Sequence, residues 1–245
     1  MTAFDALVAA AGLLAGALAS IVGFGIGSLL TPVFAMEMGT RAAVALVSIP
    51  HLIGTALRFA LIKGHLDRRV FLSFGLTSAA GGLTGALLHA RLGNPALSIV
   101  FGLLLLFVAA SELTGLARRM RFSGPVAWIA GAASGFLGGL VGNQGGIRSA
   151  ALVGFRLQRE AFVATATAVG LVVDAARMPV YFVTEREAML AAWPMMAIAT
   201  AGVVIGTLAG RRVLSRIPDA HFHRIVAVVL AVLGTAMLVS GLRTG

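Results

Sequence analysis

A glycine-rich turn followed by an arginine lies in the middle of a long apolar stretch. Residues 139–148 read GLVGNQGGIR, and apolar side chains surround them on both sides. An arginine at the bilayer centre costs at least about 3 kcal/mol on insertion scales, so Arg148 is a candidate for function. Its guanidinium would hold a sulfonate, sulfite or carboxylate group through two hydrogen bonds. The alternative is that Arg148 pairs with a carboxylate of the protein or extends to the membrane surface.

Other ionisable side chains also lie inside apolar stretches. Arg177 follows Asp174 by three residues, which places both on one face of a helix. Either they form a structural ion pair, or Asp174 carries a proton while Arg177 contacts the substrate. Arg58 lies five residues before Lys63 and either contacts the same substrate or extends to the membrane surface. His51 is a second candidate for proton coupling because histidine titrates near neutral pH, and a packed, uncharged histidine is the alternative.

The composition indicates that these residues belong to a membrane protein. Of the 245 residues, 59% are hydrophobic and 11% are charged, whereas about a quarter of a soluble domain is charged. Apolar stretches such as 96–113 and 225–242 are long enough to span about 30 Å of hydrocarbon as helices. Lys and Arg in cytoplasmic loops explain the net charge of +10 without a nucleic-acid partner. We therefore predict an all-α polytopic membrane protein in a lipid bilayer.

The sequence has no pattern that predicts an enzyme. It has no cysteine, which excludes disulfides, thiol nucleophiles and cysteine-ligated metals. It also has neither an H-E-x-x-H nor a G-x-S-x-G motif. We therefore predict no catalytic residue, no metal and no cofactor.

The chain contains an internal repeat with an offset of 119 residues. The stretch GLLAGALASIVGFGIG at 12–27 aligns with GAASGFLGGLVGNQGG at 131–146, and four glycines coincide. Internal repeats are common in secondary transporters. We predict an N-terminal repeat over 1–118 and a C-terminal repeat over 119–245, which together form one transmembrane domain.

Each half has four hydrophobic segments, and the first is unusual. It is some 30 residues long and has the glycine turn near its middle. Because an 11-residue helix is only about 16 Å long, an arm beside the turn reaches only part of the way across a bilayer. Each first segment is therefore either a re-entrant hairpin or one long broken helix. The segments are 4–36, 40–62, 69–90 and 95–116 in the first half, and 124–156, 159–183, 187–210 and 222–242 in the second.

The loop charges favour the re-entrant hairpin. When the three arginines inside segments are set aside, 16 of the 19 Lys and Arg residues remain. If all eight segments cross the membrane, these residues divide 8 against 8, which gives no orientation signal. If the first segment of each half re-enters, they divide 12 against 4, the asymmetry that cytoplasmic loops show. We therefore predict three crossings in each half, two inverted repeats and both termini outside the cell.

The two glycine turns predict an anion site at the membrane midplane. Irregular backbone survives at membrane depth only where protein buries it or where it lines a wet cavity. A helix begins after each turn, and its free N–H groups and positive dipole end attract an anion. The alternative is that the glycines only let helices cross closely. The predicted anion ligands are Gly25, Gly27 and Ser28 of the first turn, Asn143, Gln144, Gly145 and Gly146 of the second, and Arg58, Arg148 and Arg177.

The doubled glycine turns resemble those of the TauE/SafE family of sulfite and organosulfur anion exporters. The resemblance covers the whole chain and rests on GLLAGALASIVGFGIGSLLTP, GAASGFLGGLVGNQGGIRSA and two further glycine pairs. The family usually has a Gly-x-Gly-Gly-Gly turn followed by a proline. Here Ile26 interrupts the first turn, Asn143 and Gln144 enter the second, and Ala151 stands at the place of its proline. The glycine pairs are Gly81 with Gly85, and Gly202 with Gly206.

This resemblance implies export of a small anion from a bacterial inner membrane, coupled to the proton gradient. The anion would be sulfite, a sulfonate or a related compound, and the mechanism would be alternating access around the midplane site. An anion channel would use the same residues. A scaffold or assembly subunit is a further alternative, although a scaffold has no use for an arginine at membrane depth. The sequence leaves open whether the protein forms a homodimer.

Overall fold

The described residues fold into ten α-helices and one short 3₁₀ helix, and they contain no strand. The computed structural model describes residues 2–116, 125–143, 145–214 and 219–245. The all-α prediction is confirmed. The helices are α1 (Ala3–Val22), α2 (Ile26–Ile62), α3 (Arg68–His89), α4 (Asn94–Thr114), α5 (Pro125–Val141), α6 (Gly145–Val153), α7 (Arg159–Thr184), α8 (Arg186–Ala191), α9 (Trp193–Leu214) and α10 (Asp219–Thr244), with the 3₁₀ helix at Lys63–His65.

Seven of the helices in the described ranges are long and apolar enough to cross a membrane, by length and composition. α5 is also apolar but has 17 residues, and α6 has nine. Large apolar side chains such as Leu14 and Val183 are exposed on the outer surface, where lipid would contact them. The protein is therefore a multi-pass membrane protein, as predicted.

α2 is one continuous element that contains both the second arm of the first predicted segment and the second predicted segment. Its one non-helical residue, Gly39, has a φ of 74° and a ψ of 162° and divides it into α2a (26–38) and α2b (40–62). Glycine suits this position because other residues rarely adopt a positive φ. The break lies against α4, because the Arg41 N–H donates to Oδ1 of Asn94 at 2.8 Å. Nε of Arg41 also lies 2.6 Å from Glu185, at the junction of α7 and α8.

α1 packs closely against α9, and the two helices run in the same direction. A Cβ atom on Gly12 would lie 2.8 Å from the carbonyl oxygen of Ala199, and one on Gly16 would overlap that of Val203. Residue numbers therefore rise together along the contact. Small residues permit such close packing of backbones in membrane helices.

α3 packs against two helices of the second half and runs parallel to both. It meets α5 through glycines whose Cβ atoms would overlap the α5 backbone, and it meets α7 through further glycines. The three helices α3, α5 and α7 therefore share one direction. The contacting pairs are Gly81 with Ala132 and Gly85 with Phe136 for α5, and Gly75 with Val169 and Gly82 with Val173 for α7.

Two other helix pairs run in opposite directions. α2b packs against α7, and α4 packs against α10, and in both pairs residue numbers rise along one helix as they fall along the other. Each pair joins corresponding segments of the two sequence repeats. The contacts are His51 with Asp174 and Arg58 with Thr167 for the first pair, and Pro95 with Gly241 and Gly102 with Leu238 for the second.

Candidate anion-binding site

The first apolar segment of each half is interrupted at its glycine turn. α1 ends at Val22, and Gly23 and Gly25 have φ angles of 85° and 129°. α5 ends at Val141, and Gly142 has a φ of 73°. The predicted break in each first segment is therefore present. We call residues 23–25 tip one and residues 142–143 tip two; Gln144 lies outside the described residues.

Each tip touches the start of the helix that follows the other tip. A Cβ atom on Gly27 would overlap the carbonyl oxygen of Gly142, and one on Gly145 would overlap Cβ of Phe24. The absence of side chains at these glycines lets the two backbones approach this closely. Because Gly27 is the second residue of α2 and Gly145 is the first of α6, the starts of the two helices lie side by side.

α2 begins without a side-chain cap. Its N-cap residue is Gly25, which makes no side-chain hydrogen bond. The first N–H groups of a helix have no partner within the helix. Ser28, in the first turn, is buried, and its Oγ has no hydrogen-bond partner among the described residues. An anion beside this turn would accept hydrogen bonds from the hydroxyl and from the backbone.

Three buried arginines lie near the tips. Arg58, Arg148 and Arg177 are 6%, 2% and 1% exposed, and they belong to α2b, α6 and α7. Arg148 is close enough to repel the other two electrostatically and to attract Asp174. Asp174 is the one buried carboxylate among the described residues. The group therefore has a surplus of positive charge, which suits an anionic ligand.

Asp174 contacts two other predicted residues, His51 for proton coupling and Arg177 for anion binding. Its Oδ1 accepts a hydrogen bond from Nε of Arg177 at 3.0 Å and lies 2.7 Å from Nη2 of the same guanidinium. The ion pair, one of the two alternatives that the spacing left open, is therefore present. Its Oδ2 lies 2.7 Å from Nδ1 of His51, which is 123 residues away in the sequence. The sequence identified both His51 and Asp174 as candidates, but nothing in it placed them in contact.

Arg148 differs from the other two buried arginines because two of its donor atoms are free. Its Nε and Nη1 have no hydrogen-bond partner among the described residues. In contrast, Arg58 donates to Oγ1 of Thr167 at 3.2 Å and to the carbonyl oxygen of Ala19 at 2.6 Å. Both side chains are buried, so neither extends to the membrane surface. Arg148 lies over Gly170, where a Cβ atom would be 2.9 Å from Nη1.

Further polar atoms near the tips also lack partners within the described part of the chain. They include Nδ2 of Asn143, which was predicted, and the hydroxyls of Thr31 and Thr55, which were not. Thr31 lies beside Gly142, at the contact between the tips. Short hydroxyl side chains in apolar helices usually bond to their own helix, so no sequence signal marked these threonines.

Tyr181 and His89 also reach this region, and neither is among the residues predicted from the sequence. They are fully buried, and each contacts the last turn of α5, just before tip two. Tyr181 is the sole tyrosine of the chain. A tyrosine in an apolar helix usually has a hydrogen-bond partner when buried, and this was the available signal.

The fold and this site define a multi-pass helical membrane protein with a cationic, polar interior. A scan against family models matches residues 8–237 to the family described as Sulfite exporter TauE/SafE. The chain belongs to this family, as its glycine turns indicated. A search of curated proteins and a search of solved structures found no match.

Proposed function

We propose that the protein is a secondary transporter that exports a small sulfite-type or organosulfonate anion across a bacterial inner membrane. The proposal depends above all on Arg148, a buried guanidinium whose Nε and Nη1 are unpartnered among the described residues. A buried charge without a partner is costly, and a bound anion would compensate it. Membership of the TauE/SafE family supports a sulfite-type substrate.

The anion would bind where the tips meet, in front of the starts of α2 and α6. Arg148 would donate two hydrogen bonds, because a guanidinium matches the spacing of two anion oxygens. Arg58 and Arg177 would add positive potential while keeping their own protein partners. The remaining ligands would be Gly25, Gly27 and Ser28 on one side, and Asn143, Gln144, Gly145 and Gly146 on the other.

The halves 1–118 and 119–245 would be inverted repeats. The opposite directions of α2b and α7, and of α4 and α10, support this arrangement because each pair joins corresponding segments. The common direction of α5 and α7 supports a re-entrant hairpin, because the chain must reverse between them. α6, the return arm, has nine residues and is about 14 Å long, less than half a bilayer.

This topology would place 12 of the 16 loop Lys and Arg residues on one side, which would face the cytoplasm. Both termini would then lie outside. A reporter fused to the C-terminus tests this orientation. A tail that is cytoplasmic in that assay would contradict the re-entrant topology.

Export would proceed by alternating access, with Asp174 and His51 coupling it to protons. Their 2.7 Å contact offers a path along which a proton can move between a carboxylate and an imidazole. Arg177 contacts the same carboxylate. A change in the charge of Asp174 would therefore change the electrostatic potential at the anion site. Uptake assays with and without a pH gradient test this coupling.

The decisive experiment combines ligand binding with transport. Sulfite, sulfoacetate, thiosulfate, sulfate and small carboxylates are added to purified protein, because a ligand that binds the folded state raises its melting temperature. We expect stabilisation by a sulfite-type anion. In Arg148→Ala we expect affinity to fall roughly 100-fold, about the loss of one strong charged interaction.

Leu29→Ala provides the matched control, since Leu29 occupies the repeat position equivalent to Arg148. It should keep the wild-type affinity for sulfite. Unchanged affinity in Arg148→Ala would remove this residue from the site. A current far above carrier rates in a reconstituted bilayer would indicate a channel in place of a transporter.

A further inference from the structure

The last turn of α5 has its backbone carbonyls bound by three side chains. This arrangement lies directly before tip two. Nη1 of Arg177 donates at 2.7 Å and Nδ1 of His89 at 2.8 Å, and the Tyr181 hydroxyl donates between them. The three side chains are at most 1% exposed. The acceptors are the consecutive carbonyl oxygens of Gly138, Gly139 and Leu140, bound by Arg177, Tyr181 and His89 respectively.

The end of a membrane helix needs such donors. The last carbonyls of a helix generally lack backbone partners. At the end of α5, Gly138 still accepts the N–H of Gly142 at 3.0 Å, whereas Gly139 and Leu140 accept no such backbone bond among the described residues. Deep in a membrane protein no lipid can supply a hydrogen bond, so each unsatisfied carbonyl costs free energy. The three donors also contact one another: the rings of His89 and Tyr181 lie 5.0 Å apart, and Arg177 lies 5.7 Å from the Tyr181 ring. They form one packed group against the end of α5.

The two halves share only part of this arrangement. In the first half Arg58 donates to the carbonyl of Ala19, as Arg177 donates to Gly138. The two arginines are 119 residues apart, and so are the two acceptors, Ala19 and Gly138. This bond is therefore common to the two repeats. The position equivalent to Tyr181 is Ile62. In the segment of His89 the repeat contains a two-residue gap, which also aligns Gly81 with Gly202, so the position equivalent to His89 is Gly210. Neither Ile62 nor Gly210 has a side-chain donor. The other two bonds are therefore specific to the polar tip.

We propose that Tyr181 and His89 are positioning residues for anion binding. With Arg177 they fix the end of α5, and this sets where tip two presents Asn143 and the first N–H groups of α6. The proposal rests on the transport function above, because it assigns these residues to that same site. Neither residue contacts the anion itself.

The test measures sulfite affinity and the hydrogen exchange of residues 139–150 in the purified full-length protein. Tyr181→Phe and His89→Leu each remove one donor, while His89→Asn keeps a donor close to the position of Nδ1. Thr184→Val is the matched control, since its hydroxyl donates to the carbonyl of Val180 in its own helix.

We expect Tyr181→Phe and His89→Leu to weaken sulfite binding roughly tenfold, the effect of one hydrogen bond of about average strength. Exchange should accelerate in 139–150 and stay unchanged elsewhere. His89→Asn and Thr184→Val should resemble the wild type in both measurements. If one variant fails to fold, the other donor and its control still decide the result.

Three outcomes would overturn the proposal: unchanged exchange in 139–150, faster exchange throughout the chain, or local acceleration with unchanged affinity. If the wild type binds no sulfite, the proposed substrate fails and the exchange measurement alone decides. Faster exchange confined to 139–150 in the donor-deleted variants would then still support the positioning role.

Discussion

Tip one and tip two share a backbone plan but differ in chemistry. Both follow a helix, turn through glycines with positive φ and lead into a new helix. At the second pair of equivalent positions, tip one has Phe24 and tip two has Asn143. Five residues further on, Leu29 corresponds to Arg148. The repeat has kept the turns, but at these two positions only the second copy is polar.

The surroundings of the two tips match this difference. Phe24 is buried in an apolar cluster with residues of α4 and α10. Leu29 packs against this cluster and against a second one around α1 and α9. Asn143 and Arg148 instead keep donors without partners among the described residues. One tip therefore contributes packing energy, while the other holds polar groups that only a ligand would satisfy.

The largest effect should separate packing from binding at positions 24 and 143. Phe24→Ala should lower the free energy of unfolding by about 3–5 kcal/mol, because it leaves a cavity in a packed cluster. Asn143→Ala should change stability little and weaken sulfite binding about tenfold, because it removes a hydrogen bond to the anion. Unfolding in mixed micelles and binding by calorimetry measure the two quantities. A binding defect in Asn143→Ala that only follows a loss of stability would remove the distinction between the tips.

The glycines that follow the tips provide a second comparison, because Gly27 and Gly146 are repeat equivalents. A Cβ on Gly27 would overlap the backbone of Gly142, whereas one on Gly146 would lie 2.9 Å from the Val108 side chain. A side chain moves more easily than backbone. Gly27→Ala should therefore destabilise the protein by about 1–3 kcal/mol and lower transport.

Gly146→Ala should be close to neutral in the same measurements. The repacking of Val108 opposes a gain of about 1 kcal/mol in helix propensity. Melting temperature and proteoliposome uptake should be compared for both variants. Equal losses of stability and transport in both variants would mean that the contact between the two halves here does not depend on the close approach of Gly27 to Gly142.

Local features of this molecule could be predicted from sequence. The apolar segments and the glycine turns depend on residues near one another in the chain, so composition and spacing predicted them. The Asp174–Arg177 ion pair was predictable because residues three apart share a helix face. The repeat also identified Arg58 and Arg177 as equivalent, and the structure gives both the same kind of carbonyl acceptor.

Contacts between the two halves could not be predicted in the same way. The bond from His51 to Asp174 and that from His89 to Leu140 depend on how the helices pack, and no spacing rule encodes this. The free donors of Arg148 were equally hidden. The sequence shows an arginine at depth, but it does not show whether a carboxylate approaches it.

The smallest loss of stability should appear at Gly170, which corresponds to His51 in the other half. Gly170→Ala would place a Cβ 2.9 Å from Nη1 of Arg148. The clash involves the free end of a flexible side chain, so Arg148 should move while α7 stays in place. Alanine also suits a helix interior better than glycine by about 1 kcal/mol, so the variant should be as stable as the wild type or more so.

Sulfite affinity should nevertheless fall about tenfold in Gly170→Ala, because the guanidinium no longer aligns with the anion. Gly75→Ala on α3 is the matched control, since its Cβ would meet the ring of Phe71 at 3.4 Å and Val169 at 3.8 Å, and no arginine is among these nearest neighbours. A more stable protein that binds less sulfite would show that the position of Arg148 controls affinity. Wild-type affinity in Gly170→Ala would mean that this guanidinium binds the anion in another orientation. Sulfite affinity would then depend less on the fixed position of Arg148.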